Sequence, residues 1–306
     1  MSGFGGDQVA STALAVAAGR AVEATRRDAL AVDPYAGPLV EAAGSTLDLP
    51  VRWPDDPTTA PPMQQPLLLA SLYVGLRTRF IDDVLGEAGP TNQTVILGAG
   101  LDTRAFRLPW PDGHRVFELD HLDVLAFKIR VLTELGAHPT CELVAVGADL
   151  AQPWVDDLRG AGFDEHQPTA WVVEGLLPYL SGAAQQDTLD SIAGLSASGS
   201  WAVIERATAL PDIEDLEAKL RAFSAQTGLA MSDLLARANP PDPAALLTAR
   251  GWLVREHSVV QLCDRYGRRI SLTGEEQPRP AATGRPDHSR GGFVTARLPS
   301  GELPAG

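Results

Sequence analysis

Between Thr94 and Ile204 the sequence has a rhythm that few folds can accommodate. Apolar runs at Thr94–Leu97, Arg115–Leu119, Leu143–Val146, Ala170–Val173 and Ser200–Ile204 alternate with stretches of helical spacing near Val124–Leu135, Pro153–Gly160 and Ala184–Leu195. Short unbroken apolar runs separated by helices predict parallel strands buried on both faces of one sheet. Two more strand candidates, Trp252–Arg255 and Gly292–Arg297, follow a helical segment at Ala244–Arg250.

The chain before this region reads as helical. Small and apolar residues recur at helical spacing from Val9 to Arg27, a second segment runs to Ala43, and Pro66 opens a long amphipathic stretch after a proline-rich loop. Ile213–Ala238 is again helical in pattern, and Gly274–Gly291, rich in Pro, Gly, Arg and Ser, reads as a loop. The expected organisation is one α/β domain with a helical cap over 1–90 and a sheet core over 91–207. A helical insertion or lid then spans 208–250, completing strands span 251–298, and a tail covers 299–306.

Charge narrows the partners. The formal net charge is -14, and the 25 basic residues are scattered. Such a surface repels polyanions, so neither nucleic acid nor an anionic membrane is an expected partner. With no apolar stretch near the roughly 20 residues of a membrane helix, the chain reads as soluble and cytoplasmic. The two cysteines, Cys141 and Cys263, lie far apart without metal-ligand spacing, so no metal is expected and both read as buried small apolar residues.

In a doubly wound sheet, ligands bind beyond the carboxyl ends of the strands. Four predicted strands carry acids there: Asp102 after the first, Glu118 and Asp120 on the second, Asp149 after the third and Glu174 after the fourth. Helix capping accounts for any one of them as well as ligation does, Asp149 above all. For the set, a ligand rich in hydrogen-bond donors explains more.

The turn Gly98-Ala99-Gly100 first suggests a dinucleotide, but the third glycine of that fingerprint is replaced by Thr103. Asp102 would also stand beside a diphosphate, a repulsion of about 1 to 4 kcal/mol at roughly 4 Å. S-adenosylmethionine has no phosphate, carries a sulfonium and an ammonium, and offers ribose hydroxyls and an adenine amine. Asp120 stands twenty residues beyond Gly100, the spacing that suits a ribose diol.

With these residues assembled, the chain resembles the leucine carboxyl methyltransferase family, in its actinobacterial branch of S-adenosylmethionine-dependent, polyketide-type O-methyltransferases. The carriers, in order, are TALAVAAGRAVEATRRDALAVDPYAGPLV, LRTRFIDDVL, VILGAGLDTRAFRLPWP, VFELDHLDVLAFK, VGADL, PTAWVVEGLLPYL and RYGR. The resemblance implies a class I, Rossmann-like methyltransferase sheet with one antiparallel strand near its C-terminal end. It also implies that Arg77 binds the cofactor carboxylate and that Gly98, with Gly100 in the same turn, lies against the methionine part. Asp120 would hold the ribose, Asp149 and Leu150 the adenine, and Glu174 the methionine end. Arg26 and Arg27 match a region where the family has a cofactor-contacting basic residue, and neither is singled out.

Methyl transfer from a sulfonium is an in-line displacement and needs alignment more than a nucleophilic side chain. A carboxylate acceptor is already ionised at neutral pH, whereas a phenol gains from a base. The six histidines form no constellation, and His121 reads as a helix-start residue. Tyr35 and Tyr179 are candidates for the acceptor pocket and could equally be packing residues. No catalytic residue is assigned, and the oligomeric state is open. The expected activity is O-methylation of a small molecule, at a carboxylate before a phenol, with an NAD(P)-dependent oxidoreductase or a non-catalytic cofactor-binding protein as alternatives.

Overall fold

The structure is a computed structural model that describes residues 8–44, 49–62, 64–89, 91–206, 240–273 and 292–300. Its centre is a sheet of seven strands: β1 (Gln93–Leu97), β2 (Arg115–Asp120), β3 (Glu142–Gly147), β4 (Thr169–Val173), β5 (Trp201–Glu205), β6 (Leu253–Ser258) and β7 (Gly292–Arg297). The spatial order is β3-β2-β1-β4-β5-β7-β6. The first five strands pair in parallel, and β7 runs antiparallel to both neighbours. The chain direction of the order reverses between β1 and β4, which opens a crevice beyond their carboxyl ends.

Nine helices flank the sheet among the described residues: α1 (Gln8–Ala24), α2 (Ala36–Ala42), α3 (Gln65–Glu87), α4 (Arg104–Arg107), α5 (Leu122–Glu134), α6 (Val155–Gly160), α7 (Gly182–Gly194), α8 (Pro243–Ala249) and α9 (Val259–Tyr266). Successive strand residues feed two cores. Ile96, Val116, Val172, Val203 and Phe293 pack with α1, α2, α3 and α5. Val95, Leu97, Trp171, Val173 and Ile204 pack with α6, α7 and α8. Burial on both faces explains why β1, β2, β4 and β5 read as unbroken apolar runs.

The small residues of α1 have a packing reason. A Cβ at Gly19 would lie 3.1 Å from the Val74 side chain, and one at Gly75 would lie 2.4 Å from that of Glu23. α1 and α3 therefore cross closely, and the crossing carries Arg20 and Arg77 to the crevice.

Several expectations shift. α9 was not anticipated; it starts from a capping box in which Ser258 Oγ accepts the Gln261 N–H and Gln261 Oε1 accepts the Ser258 N–H. β6 begins one residue later than expected and extends to Ser258. The cysteines are half-buried at the edge of a core. Ile213–Ala238 and the loop at 274–291 lie outside the described residues.

Candidate functional site

The carboxyl ends of β1, β2 and β4, the turns after them and one face of α1 enclose a pocket. Its floor is the turn after β1. Gly98 and Gly100 adopt φ values of 69° and 47°, a region costly to residues with a Cβ. At Gly98 a Cβ would also crowd Leu176 at 3.3 Å. The turn is pinned from β2: the Gly98 and Ala99 N–H groups donate to Leu119 O, and the Gly100 N–H donates to Asp120 Oδ2 at 2.7 Å. Asp120 Oδ1 accepts the His121 N–H. A carboxylate has about four acceptor sites, so buried Asp120 keeps capacity for a vicinal diol.

Asp149 and Leu150 line the pocket after β3, Leu150 buried and Asp149 exposed. Asp149 does not cap a helix: its side chain accepts the Ala151 N–H in a local turn, and α6 begins later, after Trp154.

Glu174, after β4, is held between two guanidiniums, with Oε1 2.7 Å from Arg77 Nε and Oε2 2.7 Å from Arg104 Nη1. Burial alone would raise its pKa, but Arg104 and Arg77 outweigh burial and hold it below the usual carboxylate range. Arg77 also reaches Glu205, at the end of β5, through Nη1 at 2.9 Å. Glu205 in turn accepts the Gly175 N–H at 2.8 Å and the Tyr73 hydroxyl. Arg104 further pairs with Asp102 and Asp82, and Asp82 with Arg107.

In this network, among the described residues, the four carboxylates of Asp82, Asp102, Glu174 and Glu205 face the three guanidiniums of Arg77, Arg104 and Arg107. Asp120 adds another negative charge at the pocket wall. The excess is negative, which suits a ligand carrying a sulfonium and an ammonium. The glycine cradle, a carboxylate with spare acceptor sites and this charge balance all fit S-adenosylmethionine.

Three sequence readings need correction. Glu118 does not face the pocket: its Oε2 lies 2.8 Å from Lys128 Nζ, and both side chains are fully buried under α5. Tyr35 lies off the pocket, its ring edge-on to Phe106 at 6.1 Å, whereas Tyr179 lines it. Asp102 lines the pocket, but Arg104 neutralises it, so its repulsion of a diphosphate is weaker than the sequence suggested. Of the two arginines left open, Arg26 lies 4.0 Å over Trp53 and Arg27 is exposed; neither lines the pocket.

Sequence reasoning missed Glu205, Arg104 and Arg20. Glu205 obeys the same rule as the other strand-end acids and was detectable from Ile204-Glu205. Arg20, which lines the pocket, is held by Asp33 at 2.8 Å and by Leu101 O at 2.6 Å.

A sheet of this order with its last strand antiparallel, bearing this pocket at the switch point, defines a class I S-adenosylmethionine-dependent methyltransferase. The family model of leucine carboxyl methyltransferase matches residues 13–193. A Mycobacteroides abscessus protein called "Putative S-adenosyl-L-methionine-dependent methyltransferase" is 40% identical over 304 residues, covering 95% of this chain and 93% of its own. A Saccharopolyspora erythraea protein of the same name is 42% identical over 265 residues, covering 86% and 90%. The chain belongs to the leucine carboxyl methyltransferase family, and its cofactor is S-adenosylmethionine.

Proposed function

We propose that this methyltransferase esterifies a small-molecule carboxylate, with its cofactor in the pocket beyond β1, β2 and β4. When bound, S-adenosylmethionine supplies an electrophilic methyl group on a sulfonium. Arg77 would hold the cofactor's carboxylate and Glu174 its ammonium. Asp120 would take the ribose diol, and Asp149 and Leu150 the adenine. The glycine turn and these anchors orient the methyl group, and the apolar wall of Leu176, Leu180 and Val16 excludes water.

The acceptor class follows from how the titratable groups of the pocket are used. Glu174 and Asp102 are ion-paired, and Asp120 accepts two backbone N–H groups. These three are committed to holding the site; His121 and Asp149 also line the pocket, but they follow β2 and β3, on the side assigned above to the ribose and adenine, so neither stands as a base beside the methyl group. A carboxylate arrives ionised and needs none. The family's description, which names a carboxyl group, agrees.

Incubation of the protein and cofactor with matched carboxylic acids and phenols, read by mass spectrometry, tests the proposal. A one-methyl gain on acids, removed by mild alkali, with a rate nearly flat between about pH 6 and 9, is the expected result. Alkali-stable products from phenols, with rates rising towards their pKa, would assign the acceptor to the phenol class instead.

A further inference from the structure

We infer that the Arg77–Glu174 ion pair is an internal stand-in for the amino-acid end of the cofactor, opened on binding while Glu205 and Arg104 act as positioning residues. This rests on the cofactor placement proposed above and is independent of the acceptor class.

The four side chains form a linear series in which charges alternate: Glu205, Arg77, Glu174, Arg104. The inner contact, Arg77 Nε to Glu174 Oε1, is 2.7 Å, and both partners line the pocket. The outer contacts, Glu205 to Arg77 at 2.9 Å and Arg104 to Glu174 at 2.7 Å, tie each inner residue to the protein behind it. A ligand bearing an ammonium beside a carboxylate has the charges to replace the inner contact one for one. Its carboxylate takes Arg77 and its ammonium takes Glu174.

The exchange depends on the outer members. A buried charge stripped of its partner is heavily penalised, whereas a charge that keeps a second partner is not. When the inner pair parts, Arg77 retains Glu205 and Glu174 retains Arg104. Glu205 is itself fixed by the Tyr73 hydroxyl from α3 and by the Gly175 N–H of the turn that carries Glu174. Gly175 adopts φ 64°, so one carboxylate sets both the guanidinium and the turn that presents its partner. Without Glu205, Glu174 is the one charge partner left to Arg77 among the described residues, and the inner contact closes more firmly against the ligand.

The test compares two ligands by calorimetry. S-adenosylhomocysteine carries the amino-acid end, and 5′-methylthioadenosine carries the adenosine without it. Glu205→Gln is expected to lower affinity for S-adenosylhomocysteine at least tenfold and leave that for 5′-methylthioadenosine within twofold. Tyr73→Phe, which loosens Glu205 without changing charge, is expected to shift the same ratio about threefold and serves if the first variant does not fold. An equal loss for both ligands, or no change in their ratio, overturns the inference. If the wild-type protein binds the two ligands equally, the cofactor placement itself is wrong, a result distinct from failure of the exchange alone.

Discussion

Asp120, the last residue of β2, accepts the Gly100 N–H through Oδ2 at 2.7 Å and so ties the end of one strand to the glycine turn that follows its neighbour. The same carboxylate faces the pocket, so the group placed for the ribose also shapes the turn beneath the methionine part. Loss of this side chain should therefore affect cofactor binding more than a single missing contact would.

Gly100→Ala should reduce both stability and cofactor affinity. Its φ of 47° costs a residue with a Cβ about 1–2 kcal/mol, and the new Cβ would lie 3.4 Å from that of Ala13 on the pocket wall. Gly113→Ala, at φ 75° with nothing near its Cβ, should lose comparable stability and keep wild-type affinity. Urea denaturation and calorimetry on both variants check the contrast.

Removing one partner of the buried Glu118–Lys128 pair strands the other. Lys128→Met is expected to cost about 3–5 kcal/mol, and Glu118→Leu with Lys128→Met to recover most of that loss. Chemical denaturation of the single and double variants measures it. Equal stability of the two would show that the pair is not coupled.

Acid should weaken the fold in part through Asp102. Burial would raise its pKa, but Arg104 foremost, then Lys128, Arg107 and Arg20, bring it down to about 2 from an ordinary 3.8. A folded-state value below the unfolded one favours the ionised native form. Its contribution, roughly 2 kcal/mol, is therefore present above about pH 4 and lost as pH falls through about 2. The stability gap between wild type and Asp102→Asn should be widest near pH 6 and narrow steadily below pH 4. A gap independent of pH would remove Asp102 from this account.

Much of the sheet was legible because central strands buried on both faces, β1, β2, β4 and β5, leave continuous apolar runs; the edge strands β3 and β6 are largely exposed and were read from shorter apolar stretches. Some pocket residues were legible for a related reason: ligands gather at strand ends, where Asp120, Asp149 and Glu174 stand. What sequence could not convey was pairing in space. Glu118 is two residues from Asp120 on the same strand, yet Lys128, brought over it by α5, makes it a core residue. Arg104 is separated from Glu174 by 70 residues, so its grip on that carboxylate is a product of the fold. Tyr35 beside Asp33-Pro34 is directed by its contact with Phe106. α9 had a visible start in Ser258 and Gln261, but its capping box follows a strand with no break residue between them.

The most direct test of the account is calorimetric titration of S-adenosylhomocysteine into the wild-type protein and into Asp120→Ala. The wild type should bind at one site, and the variant should bind more than tenfold more weakly, tenfold being the floor set by one charge-assisted hydrogen bond, while remaining folded. Unchanged affinity in a folded Asp120→Ala protein would contradict the placement of the cofactor on the turn between β1 and β2.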